Sequence, residues 1–172
     1  MTIPVILNIT GHVDETVNNI NEYGKQKYKG VSKLSLFPKK DEVSGEIKDY
    51  YYHCEGERIY QNYQIYLEVK YDNEAYEEEK ERLLSIYNNK TEKGSRYTEE
   101  EFVLPGVYSM LYADGYEYAL MDDSEASIKY IYLQGVSRDE LYFDIDYLPK
   151  DYGRAGSNYE TERRPYSIYQ EW

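Results

Sequence analysis

The sequence predicts an α+β fold: an antiparallel β-sheet of about five strands with one long helix packed on one face and a second helix near the N-terminus. Three observations predict it. Asp114-Gly115 lies between two alternating runs, the strongest short-range signal of a hairpin. Tyr63 to Tyr71 alternates cleanly, with Tyr63, Ile65, Leu67, Val69 and Tyr71 on one face and Gln64, Tyr66, Glu68 and Lys70 on the other. Tyr76, Leu83, Leu84 and Tyr87 form an apolar stripe at helical spacing within Asn73 to Asn88.

At 172 residues the chain suits a single domain over residues 1–172, with 1–30 an N-terminal helical segment and 153–172 a polar tail. Val13, Val17 and Ile20 recur at helical spacing behind Asp14 and Glu15, which the helix dipole favours in a first turn. Gly30 ends any continuation, and Val31 to Pro38 alternates as an edge strand would. Ile47 to Cys54 and Tyr63 to Tyr71 read as a hairpin around a loop containing Gly56. Asp72 or Asn73 caps the long helix, whose glutamates make a solvated outer face with pairs such as Glu78 to Arg82. Pro105 limits helix after Thr98, and three antiparallel strands then form a meander. Ser137 to Leu141 suits a short helical turn.

With Asp114 and Gly115 as the two turn residues, Ser109 falls opposite Leu120, and Met121 falls opposite Ala126. One face of the meander is then aliphatic, with Leu120, Ile131 and Leu133, and is the expected seat of the helix. The other holds Tyr108, Met110, Tyr112, Met121, Tyr130 and Tyr132, and Tyr66 joins them from the preceding hairpin. Rigid amphipathic rings beside flexible methionines suit either a recognition surface or a polar-sided core. Those seven residues are the candidate partner-binding set.

A formal charge of -13 disfavours nucleic acid as a partner, since binding phosphates requires a basic surface. The excess lies in residues 1–149, because Lys150, Arg154, Arg163 and Arg164 balance Asp151, Glu160, Glu162 and Glu171 beyond them. Cys54 is the only cysteine, so a disulfide within the chain is excluded, and a lone thiol fits a cytoplasmic setting. Ile3 to Ile9 is too short and interrupted for a signal peptide or a membrane span.

Catalytic signatures are sparse. His53 and Cys54 are strand neighbours and point to opposite faces, so they cannot form a dyad, and Cys54 is expected as a buried apolar residue. Phosphate loops, nucleophile elbows and zinc motifs are missing, and no cofactor is implied. Asp122, Asp123 and Glu125, or Asp144 and Asp146, lack the spacing of a calcium loop and read as turn acids.

The segments LSLFPK from Leu34, DYYYHC from Asp49, YQIYLEVKYDNEAYEEEKERL from Tyr63, YEYALMDD from Tyr116 and YLPKDY from Tyr147 together resemble an uncharacterised family of small tyrosine-rich proteins from Gram-positive bacteria. The resemblance covers about residues 34–152 and implies no activity, cofactor or site residue. Cell-surface tethering in that family implies surface association here if a leader was removed.

The function expected is that of a non-catalytic, acidic interaction protein recognising a protein or peptide through its tyrosine-rich sheet face, with self-association as a further outcome of such a surface. The alternative is a hydrolase of sugar or cell-envelope material that uses carboxylates beside aromatic platforms.

Overall fold

The computed structural model describes residues 11–25, 34–57, 60–89, 94–97, 106–109 and 115–148. Its elements in chain order are β1 (His12–Val17), β2 (Glu46–Glu57), β3 (Tyr60–Lys70), α1 (Asn73–Asn89), β4 (Gly94–Tyr97), β5 (Gly106–Ser109), β6 (Gly115–Asp122) and β7 (Ser127–Gln134). Among the described residues the strands make one sheet of seven in the order β1-β2-β3-β7-β6-β5-β4, antiparallel throughout. The fold is α+β, with more strands than the sequence predicts.

One extra strand replaces the expected N-terminal helix. Val13 and Val17 are four apart, a spacing that serves one helix face and, being even, one strand face equally well. Pairing decides between them: His12 to Val17 runs beside Glu57 to Tyr52, and exposure alternates along it. Val13 and Val17 pack at the margin of the core, while His12, Asp14 and Thr16 face outward.

β2 and β3 form the expected hairpin but extend it, with Cys54 opposite Tyr63 and pairing continuing to Glu57 opposite Tyr60. Gly56, at φ 128°, lies inside the ladder rather than in a loop, in backbone that side chains rarely adopt. The ladder shifts between Ile47 and Asp49, so Lys48 is the extra residue of a bulge.

The meander keeps its order and changes its registers. Met121 pairs with Ile128 rather than Ala126, because the four-residue turn moves one position along the chain, from 122–125 to 123–126; the Asp122 carboxylate accepts from the Ser124 and Glu125 amides at 3.1 and 3.2 Å, and Ala126 takes a positive φ of 47°. That slip is even and leaves the faces intact. The slip between β5 and β6 is odd. The expected turn residue Asp114 lies outside the described residues; Gly115 belongs to β6, paired with Gln134, and Ser109 meets Glu117 while Tyr108 meets Tyr118. An odd slip exchanges the faces of β5 relative to the expectation.

Both faces of the central strands are covered. On one, Tyr50, Tyr52, Cys54, Ile65, Leu67, Val69, Met121, Ile128, Tyr130 and Tyr132 share a buried cluster with Ala75, Tyr76 and Leu83 of α1 and with Leu34, Leu36 and Phe37. On the other, Tyr66, Tyr118, Leu120, Ile131 and Leu133 are buried with Val136 and Leu148. The residues of α1 therefore cluster with the tyrosine-methionine face, not the aliphatic one.

Hydroxyl chemistry accounts for the exchange. Tyr130 sits between the Tyr71 hydroxyl, 2.8 Å away, and Glu79 Oε1 of α1, to which it donates at 2.5 Å. A face lined with phenols needs polar partners, and α1 brings them. Glu79 also holds Arg82, whose Nε and Nη2 each donate at 2.6 Å, and Arg82 Nη2 donates to the Leu36 carbonyl at 2.5 Å. Arg82 thus pairs with Glu79 rather than with Glu78.

Leu34 to Phe37 is an irregular plug where the sequence suggests an edge strand. The fully buried Glu117 secures it, accepting from the Leu36 amide at 2.6 Å and the Ser35 hydroxyl at 3.0 Å. The aliphatic face is covered instead by residues 136–148, which contain two one-turn 3-10 helices, Arg138–Glu140 behind a Ser137/Glu140 capping box and Ile145–Tyr147. Gln64, itself buried, holds this strap: Nε2 donates to the Glu140 carbonyl at 3.0 Å, and Oε1 accepts from the Tyr142 amide at 2.5 Å.

Candidate functional site

Of the seven tyrosines and methionines in the candidate partner-binding set, Tyr66, Met121, Tyr130 and Tyr132 are buried, and they divide between the two faces of the sheet. Met121, Tyr130 and Tyr132 are at most 5% exposed, in the buried cluster that includes residues of α1 and the plug. Tyr66 is buried in the opposite cluster, because it pairs with Ile131 and so faces away from Tyr130 and Tyr132. Tyr108 takes the register position opposite Tyr118. Met110 and Tyr112 lie outside the described residues.

Burial suits these phenols to packing. Desolvation raises the Tyr130 pKa well above the ordinary tyrosine range, reinforced by Tyr71 and Glu79. Tyr63, at the margin, is pushed up to about 12 by desolvation and then by Cys54. Cys54 is buried, and desolvation raises its thiol too, the opposite of an activated nucleophile. His53 lies on the other side of the strand, as alternation requires.

A different aromatic group is partly open. In the run Asp49-Tyr50-Tyr51-Tyr52-His53, alternation sends Tyr50 and Tyr52 into the core and leaves Asp49, Tyr51 and His53 on the outer face. The strap brings Tyr142 onto Tyr51 with the rings parallel to within 5° and their centroids 4.0 Å apart. His53 extends the row, its ring 6.4 Å from that of Tyr51. The Tyr142 hydroxyl closes one end by donating to Asp49, with oxygen distances of 3.0 and 3.2 Å. At the other end His53 Nε2 is 3.5 Å from Glu55 Oε2, and His53 Nδ1 is 2.9 Å from the Thr16 hydroxyl of β1.

Acids surround the row. Asp14 is the register partner of Glu55, so two carboxylates stand side by side on exposed backbone. Burial and then the Asp14 charge raise the Tyr51 phenol; burial and then Asp49 raise that of Tyr142. Both rings therefore stay neutral, each offering a π-face beside negative charge. Such a group attracts cations, since ring faces and carboxylates act with the same sign.

Other acids are engaged elsewhere. Asp123 accepts from Lys80 and from the Tyr76 hydroxyl, each at 2.8 Å, and Glu125 pairs with Lys70 at 2.8 Å. Among the described residues no group of three or more His, Cys, Asp or Glu side chains is placed to hold a metal ion. None of the described helices is long and apolar enough to cross a membrane.

No family model, curated protein or solved structure matches the chain.

The sequence carries a signal for Tyr51, since three consecutive tyrosines in a strand cannot all face inward. It carries none for Tyr142, whose place depends on Gln64 pinning the strap.

Proposed function

We propose that this protein is a non-catalytic, acidic binding protein that takes a basic segment of a protein or peptide on the outer face of β1 and β2. The observation that supports the reading is the parallel Tyr51–Tyr142 stack, partly exposed among Asp14, Asp49 and Glu55. The formal charge of -13 favours the same class of partner through long-range attraction. Aromatic area at the centre of the surface supplies contact at small entropic cost, and the carboxylates around it select for positive charge.

The carbohydrate-hydrolase alternative would use the same rings. Asp49 and Glu55 stand at opposite ends of the row, roughly 20 Å apart along an extended strand, beyond the about 5–9.5 Å that glycoside hydrolysis requires, whereas Asp14 and Glu55 are register partners. Cleavage of an oligosaccharide that is lost in Asp14→Asn with Glu55→Gln would favour the hydrolase.

The test is affinity capture from the source cell at low and moderate salt, comparing the wild type with Tyr51→Ala, which leaves the charge unchanged. A basic protein retained by the wild type and lost by the variant supports the proposal. Equal retention by both would refute the assignment of the surface, because charge alone would then explain capture.

A further inference from the structure

We infer that the end of the row formed by His53, Glu55 and Asp14 is an arginine anchor, which selects arginine over lysine in the bound segment. The inference rests on the binding function proposed above and names the side chain that the surface recognises.

Two features of the row carry it. The first is the pair of carboxylates. Asp14 and Glu55 face each other across β1 and β2, and like charges directly opposite in a sheet destabilise it, with Cβ atoms about 4.5–5.5 Å apart. Both residues are exposed, and among the described residues Glu55 Oε2 lies 3.5 Å from His53 Nε2. A planar cation bridging the two carboxylates would remove the repulsion.

The second feature is shape. The rings of Tyr142, Tyr51 and His53 step along β2, and the next residue on that face is Glu55. A group stacked in continuation of the row therefore arrives at the level of Glu55 and of its register partner Asp14. A guanidinium is planar and weakly hydrated, presents N–H donors on two edges, and stacks on aromatic faces. An ammonium is a hydrated point charge and can use only the negative potential. Thr16 holds His53 at Nδ1 by a 2.9 Å bond, so the terminal ring is oriented before a ligand arrives. Alternate side chains of an extended segment repeat at the spacing of same-face residues on β2, which suits a partner chain carrying arginine at every second position.

Fluorescence anisotropy with the full-length protein tests the anchor. The probes are an end-labelled serine-arginine repeat peptide and a serine-lysine peptide of equal length and charge. The arginine peptide is expected to bind about tenfold more tightly. The exposed isosteric pair Asp14→Asn with Glu55→Gln should abolish that preference, and a melting temperature equal to or above that of the wild type, as relief of the repulsion implies, would show that its fold is intact. Equal affinity of the wild type for both peptides would overturn the anchor while leaving the binding function standing. A preference that survives in the double variant would overturn its placement at Asp14 and Glu55. Failure of both peptides to bind would overturn the anchor and the binding function together.

Discussion

Replacing Gln64 with leucine should release the strap that builds the outer face. Gln64 is 1% exposed and spends its amide on two main-chain groups, the Glu140 carbonyl at 3.0 Å and the Tyr142 amide at 2.5 Å. Gln64→Leu fills a similar volume but leaves both groups without that partner. An orphaned buried group costs about 1–3 kcal/mol, and both bonds here are only partly buried, so water can reach the freed atoms. The low end of the range applies to each, and the apolar side chain recovers part of the loss, giving a net cost of about 1–2 kcal/mol. Urea unfolding followed by circular dichroism reads the total. Hydrogen exchange separates its parts: Val136 to Leu148 should lose protection while β2 and β3 keep theirs, because the hairpin ladder does not pass through the strap. Near-ultraviolet ellipticity should also fall as Tyr142 leaves Tyr51. Lys48→Ala removes only an exposed pair with Glu46 and should shift stability by less than about 0.5 kcal/mol. A Gln64→Leu protein with the stability and strap protection of the wild type would refute the claim that this one amide positions the strap.

Leu83 is fully buried and Glu78 exposed on the same helix, so Leu83→Ala should cost about 2–5 kcal/mol and Glu78→Ala under about 0.5 kcal/mol in chemical denaturation; equal, small effects would mean that α1 does not pack through Leu83. Alkaline titration should unfold the protein cooperatively. Desolvation raises the phenols of Tyr23, Tyr52, Tyr66, Tyr71, Tyr76 and Tyr130 above their ordinary value of 10.0, so the unfolded chain releases protons first. Their contribution to stability is complete below pH 10.0 and is lost as the pH rises toward the folded-state values. Phenolate absorbance should therefore grow in step with loss of ellipticity; full ionisation of the tyrosines in a protein that stays folded would contradict their burial.

Local pattern by itself determined the β2–β3 hairpin, the span of α1 and the order of the meander. Alternation along Tyr63 to Tyr71 and the apolar stripe of Asn73 to Asn88 are properties of a strand and of a helix before any tertiary contact forms. The opposed directions of His53 and Cys54 follow from the same alternation. Tertiary structure decided what lies over each face. Val13 and Val17 fit a helix or a strand equally well, and only the free edge of β2 selects the strand. The β5–β6 register differs from the one that Asp114-Gly115 predicts by an odd number of positions, Ser109 meeting Glu117 rather than Leu120. Hydrophobicity alone would seat α1 on the aliphatic face. The hydroxyls of Tyr71 and Tyr130 require Glu79, which places α1 on the tyrosines and leaves the aliphatic side to the strap. Tyr51 was legible as the outward member of three consecutive tyrosines, whereas its partner Tyr142 was not. A contact between residues 91 positions apart is written in no local period; it exists because Gln64, buried in the middle of β3, holds the strap in place.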